Sequence, residues 1–179
     1  HELRNPLAPI STAAQLLRMT AEDPQRVRQS SELISRQVDH MTELVDDLLD
    51  VSRVTRGLVR IDHEPVDLRQ VVQDALEQSR PPIEARLHTV ELAITPEPAW
   101  VNGDRVRLVQ VLGNLLNNAA KYTPAGGRIG LTARREGGEV VVRVRDTGIG
   151  IPPEMLEGIF DLFTQAERAL DRAQGGLGI

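Results

Sequence analysis

The strongest constraint on the fold lies in the first 56 residues, which carry two apolar stripes that cannot be buried by each other alone. Leu3, Leu7, Ile10, Ala14 and Leu17 are spaced in alternating steps of four and three. Ile34, Val38, Met41, Val45, Leu48 and Ser52 repeat that rhythm. Such spacing lays each set along one side of a helix as a heptad-like seam. The sequence therefore predicts an antiparallel helical hairpin that pairs with a second copy into a four-helix bundle. Thr20 to Pro24 is the expected turn, and Gly57 the expected stop of the second helix. Pro6 falls inside the first stripe, where it removes a backbone hydrogen bond and predicts a kink one turn after His1. The other reading of Pro6 is a helix start, with residues 1–5 as a loop.

Beyond Gly57 the pattern alternates between helix and strand. Leu58 to Pro65 reads as a strand or a linker. Asp67 is placed to cap a helix reaching about Ser79, with Pro81-Pro82 expected to end it. His88 to Ile94, Ile129 to Arg134 and Val140 to Val144 alternate as strands do, the last two joined through Glu136-Gly137-Gly138. Gly103 to Lys121 is a helix with an apolar face through Val106, Val109, Leu112 and Leu116. Interleaved elements of this kind predict an α/β sandwich with helices on one face of a mixed sheet. From Phe160 onward the chain is rich in Gly, Gln and charge and reads as a mobile loop.

Composition excludes several classes of function. The net charge is −5 and no basic stretch is sustained, so nucleic acid is not an expected partner. There is no cysteine for a disulfide framework or a thiolate metal site. No apolar run approaches the roughly 20 residues that span a bilayer, so no membrane contact is expected within this segment. The chain begins at His1 without an initiator Met, which suggests a piece of a longer protein.

Four groups of residues have chemical potential. His1 has a neutral imidazole near pH 7, able to attack phosphorus, and Glu2 beside it can accept the ring proton. Asn5, one helical turn on, can orient a water. Asn114 and Asn118 are one turn apart and share a face with Lys121. Their amide oxygens suit Mg²⁺ already held by phosphate, Lys121 supplies a positive charge, and Tyr122 offers a ring. Asp146 ends a Val-rich strand, where a buried carboxylate would accept a hydrogen bond from an exocyclic amine. Gly148 and Gly150 follow it and let the backbone approach a flat ring. Gly175-Gly176-Leu177-Gly178 can turn backbone N–H groups toward phosphate. Each group also has a plain structural reading: a solvated helix face, a polar helix end, a strand-turn junction, a flexible tail.

The order of these groups resembles the sensor histidine kinases of two-component systems. His-Glu-x-x-Asn-Pro, the Asn-rich helix, Asp-x-Gly-x-Gly, Ile159-Phe160-Asp161-Leu162-Phe163 and Gly-Gly-Leu-Gly-Ile match that family's H, N, first glycine, F and second glycine boxes, in order. Asp104, Arg107, Leu108 and Gln110 match the usual approach to the N box. The resemblance spans essentially the whole chain, which stops inside the last box. It implies an α+β protein: a helical hairpin forming a dimeric four-helix bundle over residues 1–57, then an α/β sandwich of Bergerat type over 58–179. The first would be the dimerisation and phosphotransfer domain, incomplete upstream of His1. The second would be the ATP-binding domain, incomplete at its C-terminal end.

The resemblance also implies roles. His1 would be the phosphoacceptor, with Glu2 the proton acceptor and Asn5 serving dephosphorylation of the partner. Asn118, assisted by Asn114, would bind Mg²⁺; Lys121 and Tyr122 would contact ATP. Asp146 would read the adenine amine, with Gly148 and Gly150 shaping the base pocket. Phe160 and Phe163 would anchor a lid that Gly176 and Gly178 close over phosphate. The expected partners are a second copy through the hairpin and a response-regulator receiver domain. The expected location is cytoplasmic, with any membrane anchor upstream. The alternatives are a related Bergerat-fold ATPase and a non-catalytic dimerising fragment. The gyrase, mismatch-repair and heat-shock ATPases of that fold place a water-activating Glu where this chain has Asn114, which cannot act as a base.

Overall fold

The structure, a computed structural model, describes residues 5–58, 60–95 and 97–161. The chain divides into two compact units. One comprises residues 60–152; the other holds the hairpin up to residue 58 and a turn at 153–161.

The hairpin consists of α1 (Leu7–Met19) and α2 (Pro24–Thr55). Its turn is built from Asp23, whose Oδ1 accepts the backbone N–H groups of Gln25 (3.0 Å) and Arg26 (3.2 Å). Pro24 occupies the first helical position, where a missing N–H costs nothing. At the other end Gly57 adopts φ +64. Leu58 N–H then reaches the Arg53 carbonyl (2.9 Å) and Gly57 N–H the Val54 carbonyl (3.0 Å), the two bonds of a Schellman cap. The start of α1 departs from the expected kinked helix through Pro6. Pro6 is the N-cap, and Ile10 N–H donates to its carbonyl at 3.3 Å. A proline costs less at the start of a helix than inside one, because its missing N–H falls where a helix leaves such groups unpaired.

Within one chain the hairpin leaves its seam half open. Ala13 and Leu44 are buried, but Leu7, Val38, Val45 and Leu48 remain between 42% and 50% exposed. No helix of the described residues is long and apolar enough to cross a membrane.

The second unit runs β1 (Glu64–Asp67), α3 (Leu68–Ala85), β2 (Thr89–Ile94), β3 (Trp100–Gly103), α4 (Arg105–Tyr122), β4 (Arg128–Glu136) and β5 (Glu139–Asp146). β1 and β3 pair antiparallel. β2, β4 and β5 form a mixed sheet in that order, β2 parallel and β5 antiparallel to β4. On β4, Ile129, Leu131 and Ala133 alternate inward, with Val144 opposite Leu131 and Val142 opposite Ala133. Against this face pack Val71, Val72 and Ala75 of α3 and Val109, Leu112 and Leu116 of α4. Each large apolar side chain buried here contributes roughly 1.5–3 kcal/mol. The expected α/β sandwich is thus present.

Two local expectations are corrected. Val106 is 72% exposed, and the buried stripe of α4 is completed by Gly113, Ala119 and Ala120. Of the two readings of Leu58 to Pro65, the linker holds for its described residues up to His63, and β1 takes up only Glu64 and Pro65. Pro81 and Pro82 do not end α3, which continues to Ala85. The carbonyls they orphan belong to Glu77 and Gln78, both exposed and open to water. Beyond them Ile83 is buried in the core, and that burial offsets part of the proline cost.

Asp67 joins β1 to α3 and makes the start of the unit pH-sensitive. Its buried carboxylate accepts the backbone N–H of Arg69 (3.1 Å) and Ala99 (3.3 Å) and holds the Arg69 guanidinium at 2.7 Å. The Arg69 side-chain bond, chiefly, lowers its pKa from the ordinary 3.8. A depressed folded pKa adds stability that is present above 3.8 and is lost as pH falls through the folded value. Asp67→Asn should therefore lower the melting midpoint at neutral pH, with the gap to wild type closing in acid. A gap that stays constant down to pH about 2 would contradict this assignment.

Candidate functional site

α4 is fixed at its start by Asp104, whose carboxylate accepts the N–H groups of Arg107 (3.2 Å) and Asp62 (3.3 Å). These bonds, that of Arg107 first, hold its pKa below the ordinary carboxylate value. With Leu112 and Leu116 turned to the core, the opposite face is determined by helix geometry. At 100° per residue Asn114, Asn118 and Lys121 fall within about 60° of one another on that side. Asn114 and Asn118 are exposed, and Lys121 is half-buried. The Lys121 Nζ stands 5.2 Å from the centre of the Tyr122 ring, a cation–π distance.

The C-terminal end of α4 is unusually well held. A helix leaves its last four carbonyls without intrahelical partners. Here the carbonyl of Ala119 accepts Thr123 N–H (3.1 Å), and that of Tyr122 accepts Ile149 N–H (3.2 Å). Arg86 Nη1 donates to the Lys121 carbonyl at 2.7 Å. His88 Nε2 lies 3.1 Å from the Ala120 carbonyl and must carry the proton, since a carbonyl only accepts. All four are satisfied, two of them by side chains from the turn before β2.

The Ile149 bond ties α4 to the loop after β5. Asp146 Oδ1 accepts Gly148 N–H at 2.8 Å, folding that loop back on the strand end. Thr147 fastens it to β4, its Oγ1 accepting Arg128 N–H (3.0 Å) and its N–H reaching the Arg128 carbonyl (3.1 Å). Only glycine fits at position 148. A Cβ there would lie 2.6 Å from both Asp146 Oδ1 and the Tyr122 carbonyl oxygen. Two positions on, Gly150 takes φ +71. Asp146 is exposed rather than buried, which corrects the expectation: its oxygen is engaged by the loop's own backbone at the edge of the sheet.

The structure therefore brings Lys121, Tyr122, Asp146 and Gly148 to one end of the unit, with Asn118 and Asn114 one and two turns back along α4. Asn5 is exposed in the turn before α1. Phe160 lies in the turn at 153–161 with its ring 89% exposed, so it makes no anchoring contact among the described residues. His1, Glu2, Phe163, Gly176 and Gly178 lie outside the described residues, as does most of the loop expected from Phe160 onward. Sequence reasoning missed Arg86, His88, Thr147 and Gly127, whose Cβ would meet Thr123 Cγ2 at 2.3 Å. The partners of Arg86, His88 and Thr147 lie between 19 and 35 positions away, beyond any local pattern.

Chemically, this end presents neutral amide oxygens, an ammonium, a carboxylate and a backbone loop that admits no side chain. Among the described residues no group of three or more His, Cys, Asp or Glu could hold a metal ion. A divalent cation here would need oxygens brought by a bound anion, with amides completing its shell.

Comparison with known proteins gives concordant matches. Residues 1–57 match the His Kinase A (phospho-acceptor) domain. Residues 103–179 match the histidine kinase-, DNA gyrase B- and HSP90-like ATPase family. The sensor-like histidine kinase SenX3 of Mycobacterium tuberculosis is 33% identical over all of this chain and 43% of its own length. Its share shows that the chain spans less than half of the curated relatives it matches. Among solved structures, the mycobacterial sensor histidine kinase MprB is 35% identical over 58% of this chain and 68% of its own, with TM-score 0.53. Full-length ShkA in complex with AMPPNP is 28% identical over 99% of this chain and 36% of its own, with TM-score 0.71. A phospho-acceptor hairpin and a histidine-kinase-type ATPase fold, matched in that order on one chain, place it: the chain belongs to the sensor histidine kinases.

Proposed function

We propose that this chain is the catalytic core of a two-component sensor kinase, binding Mg-ATP, phosphorylating its own His1 and passing the phosphoryl group to an aspartate of a response-regulator receiver domain. The observation that carries the reading is the joining of the α4 face to the Asp146–Gly150 loop through the Ile149–Tyr122 bond. Residues 1–57 serve dimerisation and phosphotransfer, and 58–179 serve ATP. The half-exposed seam of Leu7, Val38, Val45 and Leu48 supports pairing with a second copy. The need for ATP and a receiver domain argues for the cytoplasmic side.

Each residue has a stated task. Asp146 accepts the adenine amine with the carboxylate capacity that its Gly148 bond leaves free. The nucleotide base lies against Gly148 and Gly150, where no side chain intervenes. Asn118 and Asn114 offer amide oxygens to Mg²⁺, which shields charge on the triphosphate. Lys121 neutralises phosphate and Tyr122 flanks the base or sugar. An unprotonated ring nitrogen of His1 attacks the terminal phosphorus; the N–P bond forms as the bond to the ADP oxygen breaks, and Glu2 takes the ring proton. Asn114 cannot deprotonate water, so bound ATP is kept for the histidine. Phe160, Phe163, Gly176 and Gly178 form the lid over the phosphates, and Asn5 orients water for dephosphorylation of the receiver. AMPPNP bound to the related ShkA supports a nucleotide at this fold.

Asp146→Asn tests the base assignment. Its amide can turn a donor toward the adenine amine, and one hydrogen bond to a charged group is worth roughly 1.5–3 kcal/mol. Preference for ATP over GTP, measured by competition, should fall by roughly tenfold or more. Unchanged preference would remove Asp146 from the base pocket.

A further inference from the structure

We infer that Arg86 and His88 are positioning residues for the nucleotide site, bracing the last turn of α4 on which Lys121 and Tyr122 stand. This rests on the assignment of those two residues to ATP.

The turn between α3 and β2 is shaped for the task. Leu87 has φ +56, the only non-glycine residue with a positive φ among those described. A leucine in that region is strained, because its Cβ crowds the following carbonyl. The strain is held by two bonds, Leu87 N–H to the Glu84 carbonyl (2.9 Å) and His88 N–H to the Ile83 carbonyl (3.1 Å). The Leu87 side chain is 79% exposed, so core packing does not explain its presence. What the turn accomplishes is to direct its two flanking side chains at successive carbonyls of α4. Arg86 takes Lys121 and His88 takes Ala120. The Arg86 carbonyl in turn accepts Gly126 N–H (2.9 Å), so the loop leaving α4 is gripped as well.

The need for such a brace follows from how α4 ends. Thr123 leaves the helix in an extended conformation and Pro124 follows, so no glycine cap closes the last carbonyls. Without Arg86 and His88 two of those carbonyls would depend on water, and the last turn would fray. Fraying would move Lys121 and Tyr122 together, and with Tyr122 the carbonyl that anchors Ile149 and the glycine loop. The Arg86 guanidinium also places positive charge at the negative end of the helix. The His88 Nδ1 is buried and has no hydrogen-bond partner among the described residues, so the ring's one polar tie is to α4.

The test is made in the full-length kinase with Arg86→Met and His88→Leu, and with Arg86→Lys and His88→Gln as donors that retain the bond. AMPPNP affinity with Mg²⁺, the KM and kcat of autophosphorylation, and the melting midpoint are measured in each. The expected result is a rise of about tenfold in KM and in the AMPPNP dissociation constant for Met and Leu, with kcat little changed and recovery in Lys and Gln. A merely structural role would lower the melting midpoint and the active fraction and leave KM as in wild type; that result overturns the proposal. Asp146→Asn and Asn118→Asp are run beside them. If those two lose nucleotide while the Arg86 and His88 variants bind normally, the brace is wrong and the site stands. If none of the variants changes binding, the site itself is misplaced, and the brace falls with it.

Discussion

His1→Gln should abolish all acid-labile phosphate on the protein while leaving its affinity for ATP nearly unchanged. The argument is one of separable parts. The base, Mg²⁺ and phosphate contacts on α4 and the Asp146–Gly150 loop lie within the ATPase-family match, residues 103–179, whereas His1 belongs to the phospho-acceptor match, residues 1–57. Glutamine keeps roughly the size and polarity of histidine but has no nucleophilic nitrogen, since its amide lone pair is delocalised. The variant removes the acceptor and nothing else. Loss of ATP binding in it would show that His1 belongs to the nucleotide site, and residual acid-labile labelling would show another acceptor.

Gly148→Ala should have the largest effect on the nucleotide side. The added methyl would stand 2.6 Å from the Tyr122 carbonyl oxygen and from Asp146 Oδ1. The first is main chain and cannot step aside without moving the end of α4. The second would have to leave the Gly148 N–H that positions it. Overpacking of this kind costs about 1–3 kcal/mol in stability. ATP affinity should fall by about 100-fold, equal to about 2.7 kcal/mol, because the loop, Asp146 and Tyr122 shift together. Calorimetric titration of the Ala variant with Mg-AMPPNP measures it. Binding equal to wild type would mean that the loop does not touch the nucleotide.

The elements that could be read from the sequence are those whose causes are local. Asp67 announces a helix start because its carboxylate reaches an N–H group two residues on. Gly57 announces a helix end because a left-handed residue is needed there. The Asn114–Asn118–Lys121 face follows from helical spacing alone. The readings that failed are those in which a distant partner decides. Pro81 and Pro82 look like a stop until Ile83 is seen buried in the core beyond them. Val106 continues the apolar spacing, but Gly113, Ala119 and Ala120 close the buried stripe, and their small side chains give little signal. Arg86 and His88 carry no motif; their meaning appears only when the turn before β2 is brought against the end of α4. The strand end marks Asp146 as a candidate, but its exposure is not legible, because the sheet edge it occupies is a matter of topology.

The chemistry of the phosphoryl bond tests the central claim most directly. The full-length kinase is incubated with Mg²⁺ and ATP labelled in the terminal phosphate, then divided between acid and base, and the modified peptide is identified. Transfer to His1 predicts label that is lost in acid, survives base and maps to the peptide containing His1-Glu2-Leu3. Label that survives acid, or that maps to a serine, a threonine or another histidine, would contradict the account.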